Sequence, residues 1–550
     1  MTPPAWLPGP RSLLRRWQAA LLVVFLHYAP QITSFQRIRN RFFRPWEAAD
    51  VPAFAVAILA VSIAAVGVSL VADVPRLRWL RRWFVVVFMG AMAAGIMTNL
   101  PGLRHHPQLV YDGIWFGFGA LAGFVLSRPN SRLVRWTSAT LVFLWALIPI
   151  VFLEALTWST WSFSSEPVRA RFAADPRAHP VYYFVFDEWS WLRTVQGGEI
   201  PRTLPHLRAL CDSAIVFRQA RSPSTGTYRS LPMLIYHAAY GDTLPGVFVY
   251  QGGRREWVNP RDDARPESAR APSLFRLARA HGYNTALAGF YMPYRRMLGD
   301  QVDVCDAWSN YPVARDLFER IEYHAVENLR FNVDPVSRRL FRPLTSHLYS
   351  DYWVRMIHAL QDTAEVMIDS LPRNSLVFVH YPLPHAPYIF DTHGNFIGDY
   401  PVRWHLAHND DEDRMLGTRE EYARHLVYLD RVIGGFMDEL RRDGKYDDAL
   451  VIITSDHHWR TDPDTAMLRR SFRWVPLIVK LPGQHAGAAV DDTFPNRESW
   501  HFVEHAITGR SSDPRVEEWI ARWGGSAGRP AAVAAPARRP GRAAAGSARP

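Results

Sequence analysis

The stretch Leu450-Val-Ile-Ile-Thr-Ser-Asp-His-His458 joins a short apolar run to side chains that bind metals. Two other runs share this pattern: Val181-Tyr-Tyr-Phe-Val-Phe186 ends in two acids, and Leu376-Val-Phe-Val379 ends in His380. Runs that are apolar on both faces are typical of the buried central strands of a mostly parallel α/β sheet. Such sheets place their sites at the carboxyl ends of the strands. The pattern therefore predicts an α/β fold with a functional site along one edge of the sheet.

A helix is predicted between the last two of these strands. Its apolar residues alternate four and three positions apart and so form one face of the helix: Tyr422, Leu426, Leu429, Ile433, Phe436 and Leu440. The pattern stops at Gly444, and the next strand follows. A helix in this position indicates a crossover connection between parallel strands.

Composition limits the classes of function. The chain of 550 residues is long enough for two or three structural units, and its net charge of +11 comes almost wholly from arginine, since Lys445 and Lys480 are its two lysines. No zinc finger, RNA-binding motif or basic helix with interleaved aromatics accompanies that charge, so we expect no nucleic-acid partner. Two cysteines, Cys211 and Cys305, exclude a disulfide-rich scaffold and a cysteine-based metal cluster. They are compatible with one disulfide in an oxidising compartment and with two unrelated thiols.

The first third of the chain is strongly apolar and predicts a helical membrane anchor at residues 1–157. Stretches at 51–72, 83–100, 109–126 and 137–156 approach or exceed the roughly 17–20 residues that a spanning helix needs. A fifth stretch, at about 17–35, is interrupted by His27, Pro30 and Gln31. A soluble protein could not bury all these segments without a partner of equal size.

Arginines in the short loops predict the orientation of this anchor. One loop contains arginines at 76, 78, 81 and 82, and another, two spans later, contains arginines at 128, 132 and 135. Both loops therefore face the cytoplasm, and the chain after residue 156 emerges on the outer face. Five spans are the preferred interpretation, although they put the arginines at 37, 39, 41 and 44 outside; four spans with an interfacial first helix are the alternative. The sequence predicts a multi-pass protein of the bacterial inner membrane with its large domain on the periplasmic or extracellular side.

The rest of the chain divides into a linker at 158–179, an α/β domain at 180–523 and a tail at 524–550. The tail consists largely of Ala, Gly, Pro and Arg. Because it has almost no large apolar residue, it cannot bury a core, and we expect it to be disordered.

Four short elements carry candidate chemistry. Asp187 and Glu188 follow the first strand, and Asp456-His457 follows the last. The segment Ser222-Pro-Ser-Thr-Gly-Thr-Tyr-Arg-Ser-Leu-Pro232 supplies hydroxyls at the start of a helix, where backbone amides stabilise anionic oxygen. Pro384-His385-Ala-Pro387 holds an imidazole in a stiff loop. Taken singly, each element also has an ordinary structural interpretation, as a helix cap, a turn or a solvated loop.

Taken together, these carboxylates, hydroxyls and imidazoles suit a divalent metal, Zn²⁺ or Mn²⁺, as one ion or two, with a position open to substrate. A metal bound to a threonine oxygen lowers the pKa of the hydroxyl, makes it a nucleophile and screens the charge of a phosphate. The set therefore predicts metal-dependent chemistry on an anionic ester.

In the order and spacing of these motifs, residues 181–483 resemble the sulfatase-like branch of the alkaline phosphatase superfamily. The similarity is greatest to membrane-bound phosphoethanolamine transferases and lipoteichoic acid synthases, which have about five spans followed by an α/β catalytic domain. The resemblance implies an alkaline-phosphatase-like α/β/α domain behind the anchor. Residues Val475-Pro-Leu-Ile-Val-Lys-Leu-Pro-Gly483 resemble the strand that comes next in this superfamily.

The resemblance also implies a role for individual residues. Asp187 matches the first metal-binding acid, and Glu188 matches the second acid of the sulfatase pair or the Glu of the transferases. Thr227, in Thr227-Tyr-Arg-Ser-Leu-Pro232, matches the metal-bound nucleophile of a Thr-x-x-Ser-x-Pro motif, with Thr225 as the alternative. His385 matches the substrate-side histidine. Asp456 and His457 match the metal ligands of a Ser-Asp-His-Gly motif.

Some positions depart from the family pattern. His458 replaces the glycine after Asp-His, and the nearest counterpart of the histidine that transferases use near a second metal is His485. Pro223 and Met233 stand near the places of the cysteines that flank the transferase nucleophile. The segment 222–232, which holds the candidate nucleophile, lacks the Cys/Ser-x-Pro-x-Arg motif from which sulfatases make formylglycine, so phosphoryl transfer is favoured over sulfate-ester hydrolysis.

The function implied is transfer of a lipid head group, phosphoethanolamine or phosphoglycerol, through a phospho-threonine intermediate. The donor would be a membrane lipid and the acceptor a cell-envelope glycan or lipid. By analogy, the segments 289–294 and 391–400 would lie near the head group. The alternatives are a sulfatase-like phosphodiesterase or sulfuric ester hydrolase, and an inactive scaffold in envelope polysaccharide assembly.

Overall fold

The structure is a computed structural model that describes residues 10–28, 49–71, 167–237, 247–251, 254–258, 273–292, 294–308, 316–332, 346–398, 418–462 and 473–525, together with isolated helical positions between 83 and 124. The span predicted at 83–100 is described at three helical positions only, the span predicted at 109–126 is described as helix at about half of its positions, and the span predicted at 137–156 lies wholly outside the described residues. The same holds for the predicted tail beyond residue 525.

The strands, in chain order, are β1 (Val181–Phe186), β2 (Ile215–Arg221), β3 (Val247–Gln251), β4 (Arg254–Val258), β5 (Asn284–Phe290), β6 (Val304–Trp308), β7 (Ser375–Tyr381), β8 (Leu450–Ser455), β9 (Leu477–Lys480) and β10 (Ala488–Pro495). The helices are α1 (Pro10–Tyr28), α2 (Asp50–Val71), α3 (Trp191–Thr194), α4 (Pro205–Cys211), α5 (Thr227–Ile235), α6 (Leu274–Ala280), α7 (Tyr294–Leu298), α8 (Leu317–Asn332), α9 (Ser346–Ser370), α10 (Arg419–Arg442), α11 (Trp500–Thr508) and α12 (Pro514–Trp523). Short 3₁₀ turns occupy Gly299–Gln301 and Asn496–Ser499.

Eight strands form one sheet in the order β10-β2-β9-β8-β1-β7-β5-β6. The three strands that the sequence predicts, β8, β1 and β7, are central neighbours and run parallel. Every residue of these strands is buried, as their apolar character on both faces predicts. Their register brings Phe186 level with Tyr381 and with Ser455, so the polar residues that follow each strand meet at one edge. The mostly parallel α/β fold is therefore confirmed.

The strand β9 makes the sheet mixed, because it runs antiparallel to both β2 and β8. It occupies the centre of the stretch 475–483 that the resemblance identified as a strand. The hairpin of β3 and β4 forms a separate two-stranded sheet.

The helix α10 is the predicted crossover between β7 and β8. The six apolar residues predicted for its inner face are all buried. It begins with a capping box, in which Thr418 accepts from the amide of Glu421 and Glu421 accepts from the amide of Thr418. It ends at Arg442, and Gly444 follows with a φ of +64°. Since β1 lies between β7 and β8, the crossover passes over one strand.

The membrane anchor is described in part. Within the described residues, one helix is long and apolar enough to cross a membrane, α2, with a mean hydropathy of 2.6. It coincides with the span predicted at 51–72. The marginal segment predicted at 17–35 overlaps α1, which packs against α2. Four or five spans stay a prediction.

Residues ahead of β1 already pack on the domain. The amides of Arg171 and Phe172 donate to the side chain of Asn284, and Asn374 accepts from the amide of Asp175. The later part of the predicted linker therefore contacts the sheet. Cys211 and Cys305 are not joined by a disulfide.

Candidate active site

The central strand ends bring two carboxylates and an imidazole together. Asp187 follows β1, and Asp456 and His457 follow β8; all three are buried, with ligand atoms within 4.8 Å of one another. His457 Nε2 lies 3.4 Å from Asp187 Oδ1 and 3.3 Å from Asp456 Oδ2. The sequence predicts all three as metal ligands, together with Glu188 and Thr227.

Thr227 completes this group as the first residue of α5. Its Oγ1 lies 3.1 Å from His457 Nε2 and 3.5 Å from Asp187 Oδ1, and the side chain is buried. Gly226, in extended conformation, precedes it and caps the helix. A hydroxyl at a helix N-terminus lies among backbone amides that stabilise negative charge. Thr225, the alternative nucleophile, lies two residues earlier and is half-buried.

The tautomer of His457 is set by its own loop. Its Nδ1 lies 2.9 Å from the carbonyl oxygen of His458 and donates to it. The lone pair therefore sits on Nε2, the atom that faces Asp187, Asp456 and Thr227. A hydrogen bond of this kind from the far ring nitrogen is the usual support of a metal-binding histidine.

The electrostatics of the cluster favour a cation. Burial, together with the negative charge of Asp187, raises the pKa of Asp456 well above its usual value. Burial, together with the charge of Arg460, lowers the pKa of His457 well below its usual value. Two buried carboxylates at this spacing repel each other unless a positive charge lies between them. The donor set of carboxylates, neutral imidazole and hydroxyl thus fits a divalent metal ion.

Glu188 takes a different position from its neighbour Asp187. Its backbone has a φ of +60°, and its carboxylate accepts a 2.7 Å hydrogen bond from Arg460 Nε. Its Oε2 lies 4.0 Å from Nε2 of His385. Although burial acts to raise it, the charges of His385 and Arg460 hold the pKa of Glu188 below its usual value. Its role as a metal ligand stays a prediction, and within the described residues its ion-pair partners are Arg460 and His385.

His385 lies at the edge of the site. Its ring is parallel to that of Trp353, with centroids 6.1 Å apart, and its Nδ1 contacts the carbonyl of Ala386. The bonds Leu383–Pro384 and Ala386–Pro387 on either side of it are both cis. The side chain keeps 22% of its surface exposed, whereas the metal-ligand candidates are almost fully buried. This position suits contact with substrate rather than with a buried ion.

Sequence reasoning missed Arg460 and the pair of Tyr294 with His380. The Tyr294 hydroxyl lies 2.7 Å from His380 Nδ1, and both side chains are buried. Burial, together with the charges of Asp456 and Asp187, raises the pKa of Tyr294 well above its usual value. The signals in the sequence were the position of His380 at a strand end, of Arg460 three residues after His457, and of Tyr294 at the end of the segment 289–294 expected near the head group.

The two histidines that depart from the family pattern differ in position. His458 is buried next to the cluster, and burial lowers its pKa to about 4. His485 is exposed, and within the described residues it belongs to no group of potential metal ligands. The second stretch proposed for the head group is described up to residue 398. In it Asp391 accepts from the backbone amides of His393 and Asn395 and so stabilises its own turn.

Comparison with known proteins defines the class. Residues 180–494, more than half of the chain, match the family model described as Sulfatase. The chain belongs to the sulfatase family and so to the alkaline phosphatase superfamily, whose members are metal-dependent hydrolases and transferases. No curated protein sequence matches it.

Solved structures are similar at low identity. A crystal structure of Ps i-CgsB in complex with k-i-k-neocarrahexaose is 14% identical, covers 62% of this chain and 74% of its own, and has a TM-score of 0.39. The PsFucS1 sulfatase from Pseudoalteromonas sp. is 15% identical, with coverages of 60% and 68% and a TM-score of 0.38. The lipoteichoic acid synthase LtaP from Listeria monocytogenes is 13% identical, with coverages of 62% and 76% and a TM-score of 0.33.

Proposed function

We propose that this protein is a membrane-anchored, metal-dependent phosphoryl-group transferase with Thr227 as its nucleophile. The observation that carries the proposal is the position of Thr227 Oγ1, at the N-terminus of α5 and 3.1 Å from His457 Nε2. Asp187, Asp456, His457 and Thr227 would hold the metal, Zn²⁺ or Mn²⁺, with Glu188 as a further ligand. When bound, the metal supplies positive charge that lowers the pKa of the threonine hydroxyl and screens the phosphate.

The residues supply the rest of the reaction. Thr227 Oγ1 releases its hydroxyl proton to water and forms a bond to the phosphorus of a lipid head group while the bond from phosphorus to the diacylglycerol oxygen breaks. His385, at the exposed edge, gives a proton to that leaving oxygen. An acceptor hydroxyl then gives its proton to His385 and forms a bond to the phosphorus of the phospho-threonine, while the bond from phosphorus to Thr227 Oγ1 breaks and Oγ1 leaves as an oxyanion. The transferred group would be phosphoethanolamine or phosphoglycerol, and the acceptor a cell-envelope glycan or lipid.

Contacts of the anchor support a site close to the membrane. Asp50, at the start of α2, lies 2.9 Å from Arg320 Nη1 and 3.0 Å from His324 Nε2, both on helix α8 of the α/β domain. The α/β domain therefore contacts α2 at its N-terminal end, which the arginine pattern predicts to be its outer end. Arg16, in the first half of α1, lies 3.5 Å from Ser69, near the end of α2, which is the contact expected if the two helices cross the membrane in opposite directions. This arrangement supports a multi-pass inner-membrane protein with five spans and an outer catalytic domain.

The test uses the full chain in detergent with Zn²⁺ or Mn²⁺ and either phosphatidylethanolamine or phosphatidylglycerol. We expect release of diacylglycerol, abolished in Thr227→Ala and retained in the matched control Thr225→Ala. The head group should appear on an added envelope glycan or lipid acceptor. Head group released only to water would instead identify a sulfatase-like phosphodiesterase, and cleavage of p-nitrophenyl sulfate alone would identify a sulfuric ester hydrolase. Absence of both turnover and bound metal would identify an inactive scaffold.

A further inference from the structure

A second group of metal-binding side chains lies outside the candidate active site. His237 follows α5, Glu498 lies in the 3₁₀ turn before α11, and His501 is in the first turn of α11. The two imidazoles converge on one carboxylate oxygen: Nε2 of His237 lies 2.7 Å, and Nε2 of His501 3.3 Å, from Oε2 of Glu498. All three side chains are largely buried, at 11–18% exposure.

From this geometry we propose that His237, Glu498 and His501 form a second, structural divalent-metal site of the zinc type. Two imidazoles and one carboxylate are an established ligand set for zinc, completed by a water molecule. Ligand atoms about 2.0 Å from a tetrahedral ion lie about 3.3 Å apart. The spacing of His501 from Glu498 already has this value, and the His237 contact would lengthen as the ion replaces a direct hydrogen bond.

Neighbouring groups orient the proposed ligands. Nδ1 of His501 lies 3.1 Å from a carboxylate oxygen of Glu504, which also accepts a 2.8 Å hydrogen bond from the hydroxyl of Ser512. A carboxylate that holds the proton on Nδ1 leaves the lone pair on Nε2, the nitrogen that faces Glu498. The ring of His237 stacks on Trp500, with centroids 5.2 Å apart and an interplanar angle of 18°.

The remaining oxygen of Glu498 has a partner of its own. Arg497 Nε donates to Oε1 over 3.1 Å, so Oε2 is the oxygen that both imidazoles approach. Two Nε2 atoms and Oε2 therefore face one another, and a cation between them would bind all three.

The site lies away from the nucleophile but is connected to it. His237 comes ten residues after Thr227 in the chain, just beyond the end of α5. At the helical rise of about 1.5 Å per residue, the two residues are roughly 15 Å apart. Asn496, in the same turn as Glu498, donates to Thr454 Oγ1 over 3.0 Å and to the carbonyl of Ser455 over 2.7 Å. A metal here would therefore tie the far end of the nucleophile helix to the turn that supports β8 just before Asp456.

The test measures bound zinc in full chain purified in detergent, stripped with a chelator and reloaded. The Asp456→Asn variant, which lacks a ligand of the candidate active site, isolates the second site. In that background we expect about one equivalent of zinc, lost in His237→Gln and in His501→Gln. The matched control is His505→Gln, a histidine of the same helix whose Nδ1 pairs with Glu517 over 2.9 Å; it should keep the metal.

A second measurement separates lost metal from lost folding. Zinc should raise the midpoint of thermal unfolding in the Asp456→Asn protein and in its His505→Gln derivative, but not in the His237→Gln and His501→Gln derivatives. The metal-free midpoints of all four should agree within a few degrees. Equal zinc content and an equal zinc-dependent shift in all four proteins would overturn the proposal, and so would an absence of zinc from all four.

Discussion

The carboxyl ends of three neighbouring strands contribute side chains whose charges depend on one another. Asp187 and Asp456 are buried beside His457, and Glu188 is buried beside Arg460 and His385. Each acid is removed from water, which disfavours its charged form unless a cation is near. For Glu188 that cation is Arg460. For Asp187 and Asp456 we propose that it is a metal ion.

The pairing of Glu188 with Arg460 leads to a prediction on pH dependence. Arg460 helps to hold the pKa of Glu188 below its usual value, so Arg460→Gln should raise that pKa. A carboxylate with a higher pKa is protonated at higher pH, and the acidic limb of kcat/KM should move to higher pH. Below neutral pH we expect kcat/KM to fall about ten- to a hundredfold, as for other groups that orient a site. The measurement is kcat/KM between pH 4 and 8.

Arg193→Gln is the matched control for this experiment. Arg193 forms a two-point ion pair with Asp462, two residues after Arg460, and leaves the Glu188 pair untouched. Its pH profile should keep the wild-type acidic limb. Identical acidic limbs in Arg460→Gln and wild type would show that Glu188 does not titrate in the reaction.

At the scale of secondary structure, the sequence predicted the strands and the helix whose apolar residues follow a local pattern. Strands β1, β7 and β8 were predictable because they are apolar on both faces, and α10 because its apolar residues repeat with the helical period. The antiparallel position of β9 between β2 and β8 could not be predicted, because the direction of a strand depends on partners far away in the chain. The contacts of Glu188 with Arg460, and of His237 with Glu498, join residues more than 250 positions apart. The pattern of residues within a short segment does not predict contacts over such a separation.

The capping box of α10 gives a prediction on local stability. Thr418→Ala removes the side chain that accepts from the Glu421 amide, at a cost of about 1 kcal/mol. That cost corresponds to amide exchange about fivefold faster in the first turn of α10. Hydrogen exchange read by mass spectrometry on peptides covering 418–425 is the measurement. Thr418→Ser, which keeps the hydroxyl, is the control, and equal exchange in the two variants would contradict the capping role.

At the scale of the whole molecule, a buried ionic contact joins helix α2 of the anchor to helix α8 of the α/β domain. Asp50 is 7% exposed and contacts Arg320 and His324, and the ring of Phe54 lies edge-on to that of His324 with centroids 5.7 Å apart. The arginine pattern of the loops predicted which end of α2 faces outward. It could not predict which part of the domain meets that end, because helix α8 lies some 270 residues further along the chain.

A double-mutant cycle tests this connection. Asp50→Asn and Arg320→Gln should each lower the thermal stability of the full chain in detergent, because each leaves a buried partner uncompensated. Together they should cost less than the sum, with a coupling of about 0.5–3 kcal/mol. The control cycle pairs Asp50→Asn with Arg355→Gln, since Arg355 contacts Glu319 and Asp351 instead. Additive effects in both cycles would contradict docking of the domain on α2 through Asp50.

The most direct test of the central claim is the mass of the enzyme during turnover. Full chain loaded with Zn²⁺ or Mn²⁺ is mixed with phosphatidylethanolamine or phosphatidylglycerol, quenched in acid, digested and analysed by mass spectrometry. We predict an added head-group phosphate on Thr227, absent from Asp456→Asn and from Thr227→Ala and present in Thr225→Ala, with the added mass identifying the group. Lipid turnover with Thr227 unmodified, and retained in Thr227→Ala, would contradict the account.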